Sequence, residues 1–506
     1  MRFKYLACAL ALGFVGCGES NAPAPAPEGP HSLSGLEGKG DNYISSNARE
    51  FEMHGLAHVA LSAGFAELDE EAQSVELDKL VQRRLSVVTK AIQSHVEKVV
   101  RESNQGVEDD RDKYFTFFKR NSANTEDGVL VDDERALFEF KVEFVGTPTL
   151  LAQVAPDDTA RRVFEVEVKD WNETTGERVE VEIRESPSTD AFPKYDELFA
   201  DGVLDIGMHF GGDYNAGRYD LETARWTVET LLGPGWSNAE VTSFEELGFD
   251  SPPFTRSVLV EGKEVEIRVF ISHAAMDGPG EQHLLAEAVK KSLAERDIVL
   301  YSGHAGSGAG FILDYSPKYE IKASDFATIE LSEKYQIYVL DGCMTYRTYV
   351  DDLLKNPAKN FDNLNIITTV NTTPFSVGYQ VIHQLLNWFT MTDDYGNHFP
   401  VSWQRMLQGL NTEEHHNIYY GVHGVDTNPK LNPHASEGIA CSPCESDNDC
   451  GAGGNLCLGY SLGSACGVAC TTDEACGEGY RCQDVIEDPA QFHIPKQCVR
   501  KSFDCR

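Results

Sequence analysis

Between residues 75 and 101 apolar side chains return every three or four positions, at Leu77, Val81, Leu85, Val88, Ile92, Val96 and Val99. That spacing lays them along one stripe of a single long amphipathic helix. The rhythm then drops to two. Phe138, Phe140, Val142 and Phe144 alternate with polar residues, as do Phe164, Val166 and Val168, and Val179, Val181 and Ile183. These runs predict strands with one buried face. Asn172-Glu173-Thr174-Thr175-Gly176, between the last two, is a hairpin signal. Residues 48–199 therefore form a helix-plus-antiparallel-β domain. It carries no chemical motif, and a prodomain role and a packing or binding role both stay open.

The rhythm changes near residue 201. Strands are expected at 203–210, 265–272, 298–301, 337–340 and 365–370. Helices are expected at 221–232, closed by Gly233-Pro234-Gly235, and at 281–295, 349–354 and 377–389. The strands are short, largely apolar and separated by helical patterns. Such alternation means βαβ units, a mostly parallel sheet and helices on both faces. Residues 200–435 are thus an α/β domain, and chemistry in such a sheet collects at the carboxyl ends of its strands.

Cysteine usage adds a third region. Ten of the 13 cysteines crowd into 440–506: Cys441, Cys444, Cys450, Cys457, Cys466, Cys470, Cys476, Cys482, Cys498 and Cys505. An even number in so short a stretch argues for a disulfide module of up to five bridges, with connectivity left open. Ser446-Asp447-Asn448-Asp449-Cys450 and Thr472-Asp473-Glu474-Ala475-Cys476 repeat one wording, so the module is similar to tandem small Cys-rich units of bacterial surface proteins. Zinc at Cys441-Ser442-Pro443-Cys444 is the rival, disfavoured because no second such pair follows. Cys343 alone lies between Cys17 and Cys441, so it is either a small buried hydrophobe or a thiol in use.

Redox compartment and the amino terminus agree. Arg2 and Lys4 precede a short apolar run from Leu6 to Val15, which reads as an export signal over 1–17. The run ends Phe14-Val15-Gly16-Cys17 and resembles the bacterial lipoprotein signal, with Phe14 where leucine is usual. That resemblance implies lipid on Cys17 and a membrane anchor, in the cell envelope or outer membrane; plain secretion is the alternative. Residues 18–47, with the tract Ala22-Pro23-Ala24-Pro25-Ala26-Pro27, read as a tether. The net charge of −38 disfavours nucleic acid as a partner and is the mark of a solvated acidic surface.

The candidate chemistry sits at two strand ends. Ile298-Val299-Leu300-Tyr301 runs into Ser302-Gly303-His304-Ala305-Gly306, and Ile337-Tyr338-Val339-Leu340 runs into Asp341-Gly342-Cys343. If these strands are neighbours, His304 and Cys343 emerge on one rim. A thiolate is a competent nucleophile and an imidazole supplies the proton its leaving group needs. Backbone N–H groups of Cys343, Ala305 and Gly306 are the candidate oxyanion donors.

The order apolar strand, His-Gly-type turn, apolar strand, small residue, cysteine resembles the clan of cysteine peptidases that contains caspases, legumain and the gingipains. Residues from about 201 to 433 carry the likeness. It implies a caspase-like sandwich and hydrolysis of peptide bonds by Cys343 and His304, without metal or organic cofactor. Ala305 intervenes where the clan has glycine directly after histidine, and Met344-Thr345-Tyr346-Arg347 does not follow caspase wording. The likeness also implies that the 211–218 loop brings a basic residue to the substrate pocket. Arg218 is the candidate, with Asn215 beside it and surface ion pairing as its plain alternative. Asp341 is a candidate to orient His304 or line the pocket, beside a turn or capping role.

Two weaker signals complete the reading. His415, His416, His423 and His434 would suit a metal-dependent hydrolase, although their spacing matches no helical ligand pair. The 303–310 stretch is glycine-rich but lacks the Lys-Ser/Thr ending of a phosphate loop. The expectation is an exported cysteine endopeptidase acting on peptide or protein substrates. An inactive caspase-like surface binding protein is the first rival.

Overall fold

The computed structural model describes residues 41–109, 112–118, 124–132, 134–156, 162–170, 175–214, 217–276, 278, 280–305, 310–315, 318–416, 418–427, 432–434, 439–451, 453–461, 463–487, 489, 493–502 and 505. The signal over 1–17 with Cys17, the Pro/Ala tract, Asn215 and Gly306 lie outside them. The chain divides into two compact units. One contains Phe51–Glu185; the other contains Gly38–Glu50 and Ser186–Arg506.

In the first unit the predicted helix runs Glu70–Ser103, and Leu77, Val81, Leu85, Val88, Ile92 and Val96 are buried. Asp69 caps it by accepting from the Ala72 N–H at 2.9 Å, worth about 1 kcal/mol. The helix covers a sheet of β1 (Arg49–Ala60), β2 (Thr116–Phe118), β3 (Asn124–Leu130), β4 (Arg135–Gly146), β5 (Arg162–Val168) and β6 (Glu177–Glu185). The order is β2-β4-β1-β6-β5, with β3 also on β4. β5 and β6 pair antiparallel from Arg162↔Ile183 to Val168↔Glu177, as the hairpin signal requires. Strand β1 was not expected. Its inward row of Phe51, Met53, Ala57 and Val59 is interrupted by Gly55, which weakens the β signal.

The second unit is built on a seven-stranded sheet. Its strands are β7 (Val203–Phe210), β8 (Phe254–Val260), β9 (Lys263–His273), β10 (Ile298–Ser302), β13 (Gln336–Asp341), β14 (Leu364–Thr369) and β15 (Tyr420–His423); β11 (Gly310–Tyr315) and β12 (Lys318–Lys322) form a separate hairpin. The order is β15-β14-β13-β10-β7-β9-β8. The five inner strands are parallel and the two edges antiparallel. Successive side chains alternate between two cores. Ile298, Leu300, Ile337 and Val339 join the helices Tyr219–Leu231, Gly378–Phe389 and Trp403–Leu410. Val299, Tyr301, Tyr338 and Leu340 join His283–Glu295 and Val350–Leu354 on the other face. This is why the middles of β10 and β13, Ile298–Tyr301 and Ile337–Leu340, are apolar: both sides are covered, and each buried side chain contributes about 1.5–3 kcal/mol. The chain is mixed α/β, as expected.

The tail belongs to this unit. Its bridges are Cys441–Cys505, Cys444–Cys457, Cys450–Cys466, Cys470–Cys482 and Cys476–Cys498, and Cys343 remains a free thiol. The inner four repeat one connectivity, first to third and second to fourth, in each half. The acidic residues of the repeated wording do matching work: Asp447 accepts from Cys457 N at 2.6 Å and Asp473 from Cys482 N at 2.7 Å. The tail packs on the α/β body: Arg405 pairs with Asp484 and Trp388 meets His493 edge-on at 5.1 Å. The disulfides are those of an exported chain. Among the described residues no helix is long and apolar enough to cross a membrane.

The tether drawn over 18–47 ends sooner. Asn42, Tyr43, Ile44 and Ser45 are buried, and Ile44 bridges Val422. An aromatic and a β-branched residue after the polar stretch supply the surface that a Pro/Ala tract lacks.

Candidate functional site

β7, β10 and β13 end level with one another: Phe210 pairs with Ser302, and Ser302 with Asp341. Three loops therefore leave one rim side by side. Their first bonds continue the ladder, Gly211 N to Ser302 O at 3.0 Å and Gly303 N to Asp341 O at 3.1 Å. The strands predicted to carry His304 and Cys343 are adjacent and parallel, with Tyr301 opposite Leu340.

Close packing holds the two loops together. A Cβ at Gly342 would lie 2.4 Å from Ala305 Cβ, 2.9 Å from Gly303 O and 3.2 Å from Ala305 N. Only glycine lets the residues flanking Cys343 and His304 touch in this way. Gly211 has the same office on the other side, where a Cβ would lie 2.2 Å from Ile312 O.

The His304 imidazole is fixed on three sides. Nε2 lies 3.3 Å from Asp213 Oδ1, whose side chain is fully buried. Tyr214 stacks on the ring at 4.8 Å, and Phe375 meets it edge-on at 4.8 Å. Asp213 is itself held, since Oδ2 accepts from Tyr219 N at 3.2 Å. A carboxylate on Nε2 fixes the orientation of the ring. The His304 carbonyl accepts from Tyr301 Oη at 2.8 Å and Ile312 N at 3.1 Å, which locks the backbone beneath the ring.

Cys343 is half-buried, and its sulfur lies 3.8 Å from Thr373 O and 4.0 Å from Thr373 Oγ1. Among the described residues Sγ makes no hydrogen bond to His304. Thr369 Oγ1 donates to Gly342 O, and Met344 N to Asn371 O at 3.0 Å. Met344 is held in the left-handed region at φ 54°, a strained state for a side-chain-bearing residue. Among the described residues no acceptor takes the N–H of Cys343 or of Ala305.

Two sequence candidates have other work. Asp341 does not reach His304. Its carboxylate accepts from Ser302 Oγ at 2.7 Å and Tyr420 Oη at 2.9 Å, which clamps three strands, and burial raises its pKa. The residue is still within β13, so its side chain enters the sheet's interior and not the rim. Arg218 is engaged by Asp220 in two bonds of 3.0 and 2.8 Å, which raise its pKa; its donors answer an acid two positions on. Asp213 was missed, although Gly211-Gly212-Asp213 directly after a buried strand was its signal.

The four late histidines do not converge. His415 Nδ1 lies 3.0 Å from Leu410 O, His416 is exposed, and His434 Nε2 lies 2.9 Å from His398 Nδ1. His423 Nδ1 lies 2.6 Å from Asp41 Oδ2. No family model, curated protein or solved structure matches this chain.

Proposed function

We propose that the chain is an exported cysteine endopeptidase with a caspase-like sandwich, Cys343 as nucleophile and His304 as acid/base. The observation that carries the reading is the packing of Gly342 against Gly303 and Ala305 at the carboxyl ends of adjacent parallel strands. It sets the loop of the only free thiol among the described residues against the loop of an imidazole paired with a buried carboxylate, which supports the reading. Parallel inner strands with helices on both faces accord with the sandwich, and anchoring by lipid at Cys17 belongs to the same proposal.

The Cys343 thiol passes its proton to His304, and Sγ attacks the scissile carbonyl carbon. The new oxyanion is met by the N–H groups of Cys343 and Ala305. Collapse breaks the C–N bond, the amine takes the proton from His304, and a thioester remains. His304 then deprotonates water, which adds to the thioester and expels the thiolate. Asp213 is a positioning residue. Tyr214 and Phe375 pack against the imidazole and limit its rotation.

The sulfur's contact with Thr373 favours a second reading, an inactive fold used for binding. Free peptidases nonetheless often tighten the catalytic bond only on substrate. One experiment separates the two. The full chain is assayed against a broad peptide library, with Cys343→Ala and His304→Ala beside it. The endopeptidase reading expects cleavage by wild type alone and its loss on iodoacetamide treatment. Cleavage by Cys343→Ala refutes Cys343 as nucleophile, and a wild type that cleaves no peptide makes binding the better reading.

A further inference from the structure

A second group of chemistry-bearing side chains lies where residues 41–50 meet β15. Asp41, Glu50 and His423 each bring one ligand atom within 4.8 Å of the other two. Glu50 is 3% exposed and His423 0%. Tyr346 Oη donates to Glu50 Oε2 at 2.6 Å, and the Gly424 N–H donates to Asp41 Oδ1 at 3.0 Å. Sequence spacing grouped His423 with the other late histidines. Its actual neighbour is an acid 382 positions upstream.

Two buried polar atoms here have no hydrogen-bond partner among the described residues: His423 Nε2 and Tyr43 Oη, the latter on a side chain 1% exposed. The Tyr43 ring packs 4.7 Å from the His423 ring. Buried polar atoms are nearly always satisfied, and the His423 ring, which turns Nδ1 to Asp41, sets a nitrogen donor beside both carboxylates.

We propose that Asp41, Glu50 and His423 bind one divalent first-row transition cation. Two carboxylates balance its charge. An imidazole among the donors suits zinc, whereas calcium and magnesium prefer sites made of oxygen alone. The ion ties the 41–50 segment to β15 and, through Tyr346, braces the turn that follows Cys343. It is a structural brace and takes no part in the hydrolytic steps.

The test uses the full chain carrying Cys343→Ala, so that the thiol does not compete. The protein is stripped with a chelator, gel-filtered and titrated with zinc chloride by calorimetry, with metal per chain measured by mass spectrometry. One ion per chain is expected, with a higher Tm in its presence. Glu50→Gln and His423→Gln should each weaken binding by about 100-fold or more, beyond the usual effect of an outer-shell change. Asp41→Asn, at the 19% exposed edge, gives the same readout should the buried variants not fold. Cobalt in place of zinc should give a visible spectrum of nitrogen and oxygen ligation that Asp41→Asn alters. Absence of stoichiometric binding overturns the proposal, and so does undiminished binding by Asp41→Asn together with His423→Gln.

Discussion

The contact between the two loops can be perturbed by one methyl group. Gly342→Ala adds a Cβ 2.4 Å from Ala305 Cβ and 2.9 Å from Gly303 O. Comfortable carbon contacts are roughly 3.5–4.0 Å, so the loops must part by about 1 Å. Neither contact is the far end of a flexible side chain, and Gly342 has no positive φ, so the effect is steric. A misplacement of about 1 Å costs about 10²-fold in rate, or ~2.7 kcal/mol of barrier. Overpacking costs about 1–3 kcal/mol of stability, which a domain stable by about 5–15 kcal/mol survives. The assay is kcat/KM on a peptide that wild type cleaves, with the rate of Cys343 alkylation and a thermal melt alongside. Gly248→Ala is the control, because a Cβ there meets nothing within 4 Å. Gly342→Ala with an unchanged rate and unchanged alkylation would refute the reasoning, since loop contact would then have no bearing on the chemistry.

Other predictions follow from the same geometry. Asp213→Asn should lower kcat by about 10²-fold or more with KM little changed, because the imidazole loses the carboxylate that orients it; steady-state kinetics check this. Stability should fall with acid. Burial holds the pKa of His209 to about 3 and those of His273 and His434 to about 4, against 6.5 in the unfolded chain. Their contribution is whole above pH 6.5 and is lost as pH falls toward 4, on the order of 1–3 kcal/mol per histidine. A Tm that stays flat across that window would contradict the assignment. Removing the Cys476–Cys498 bridge with paired serines reopens a loop of sequence separation 22, which should cost about 3 kcal/mol by melt.

Much of the fold was legible because periodicity is a local property. A stripe at Leu77, Val81, Leu85 and Val88 needs no tertiary knowledge to be read as a helix face. The runs Ile298–Tyr301 and Ile337–Leu340 announce themselves as doubly covered strands by having apolar or aromatic side chains on both faces. Cysteine parity set Cys343 apart from the bridged ten. Strand β1 was missed where glycine blurred the alternation. The bridge pattern in the tail was legible only as repeated wording, since pairing depends on which half-turns fold against each other.

The sequence by itself determined the element types, the α/β class of the second unit, the disulfide tail and the two strand ends that hold His304 and Cys343. These follow from side-chain spacing and residue chemistry along a short window. Only the tertiary structure decided which strands are neighbours and therefore which distant residues meet. It gave His304 its carboxylate from Asp213, 91 positions away in sequence but one strand away in the sheet. It withdrew Asp341 into the sheet and engaged Arg218 with Asp220. It brought Asp41 and Glu50 to His423 across most of the chain. Apart from Arg218 and Asp220, which are two positions apart, the physical reason is common: an ion pair or hydrogen bond acts over a few ångströms of space, and sequence separation carries no information about that distance until the sheet order is set.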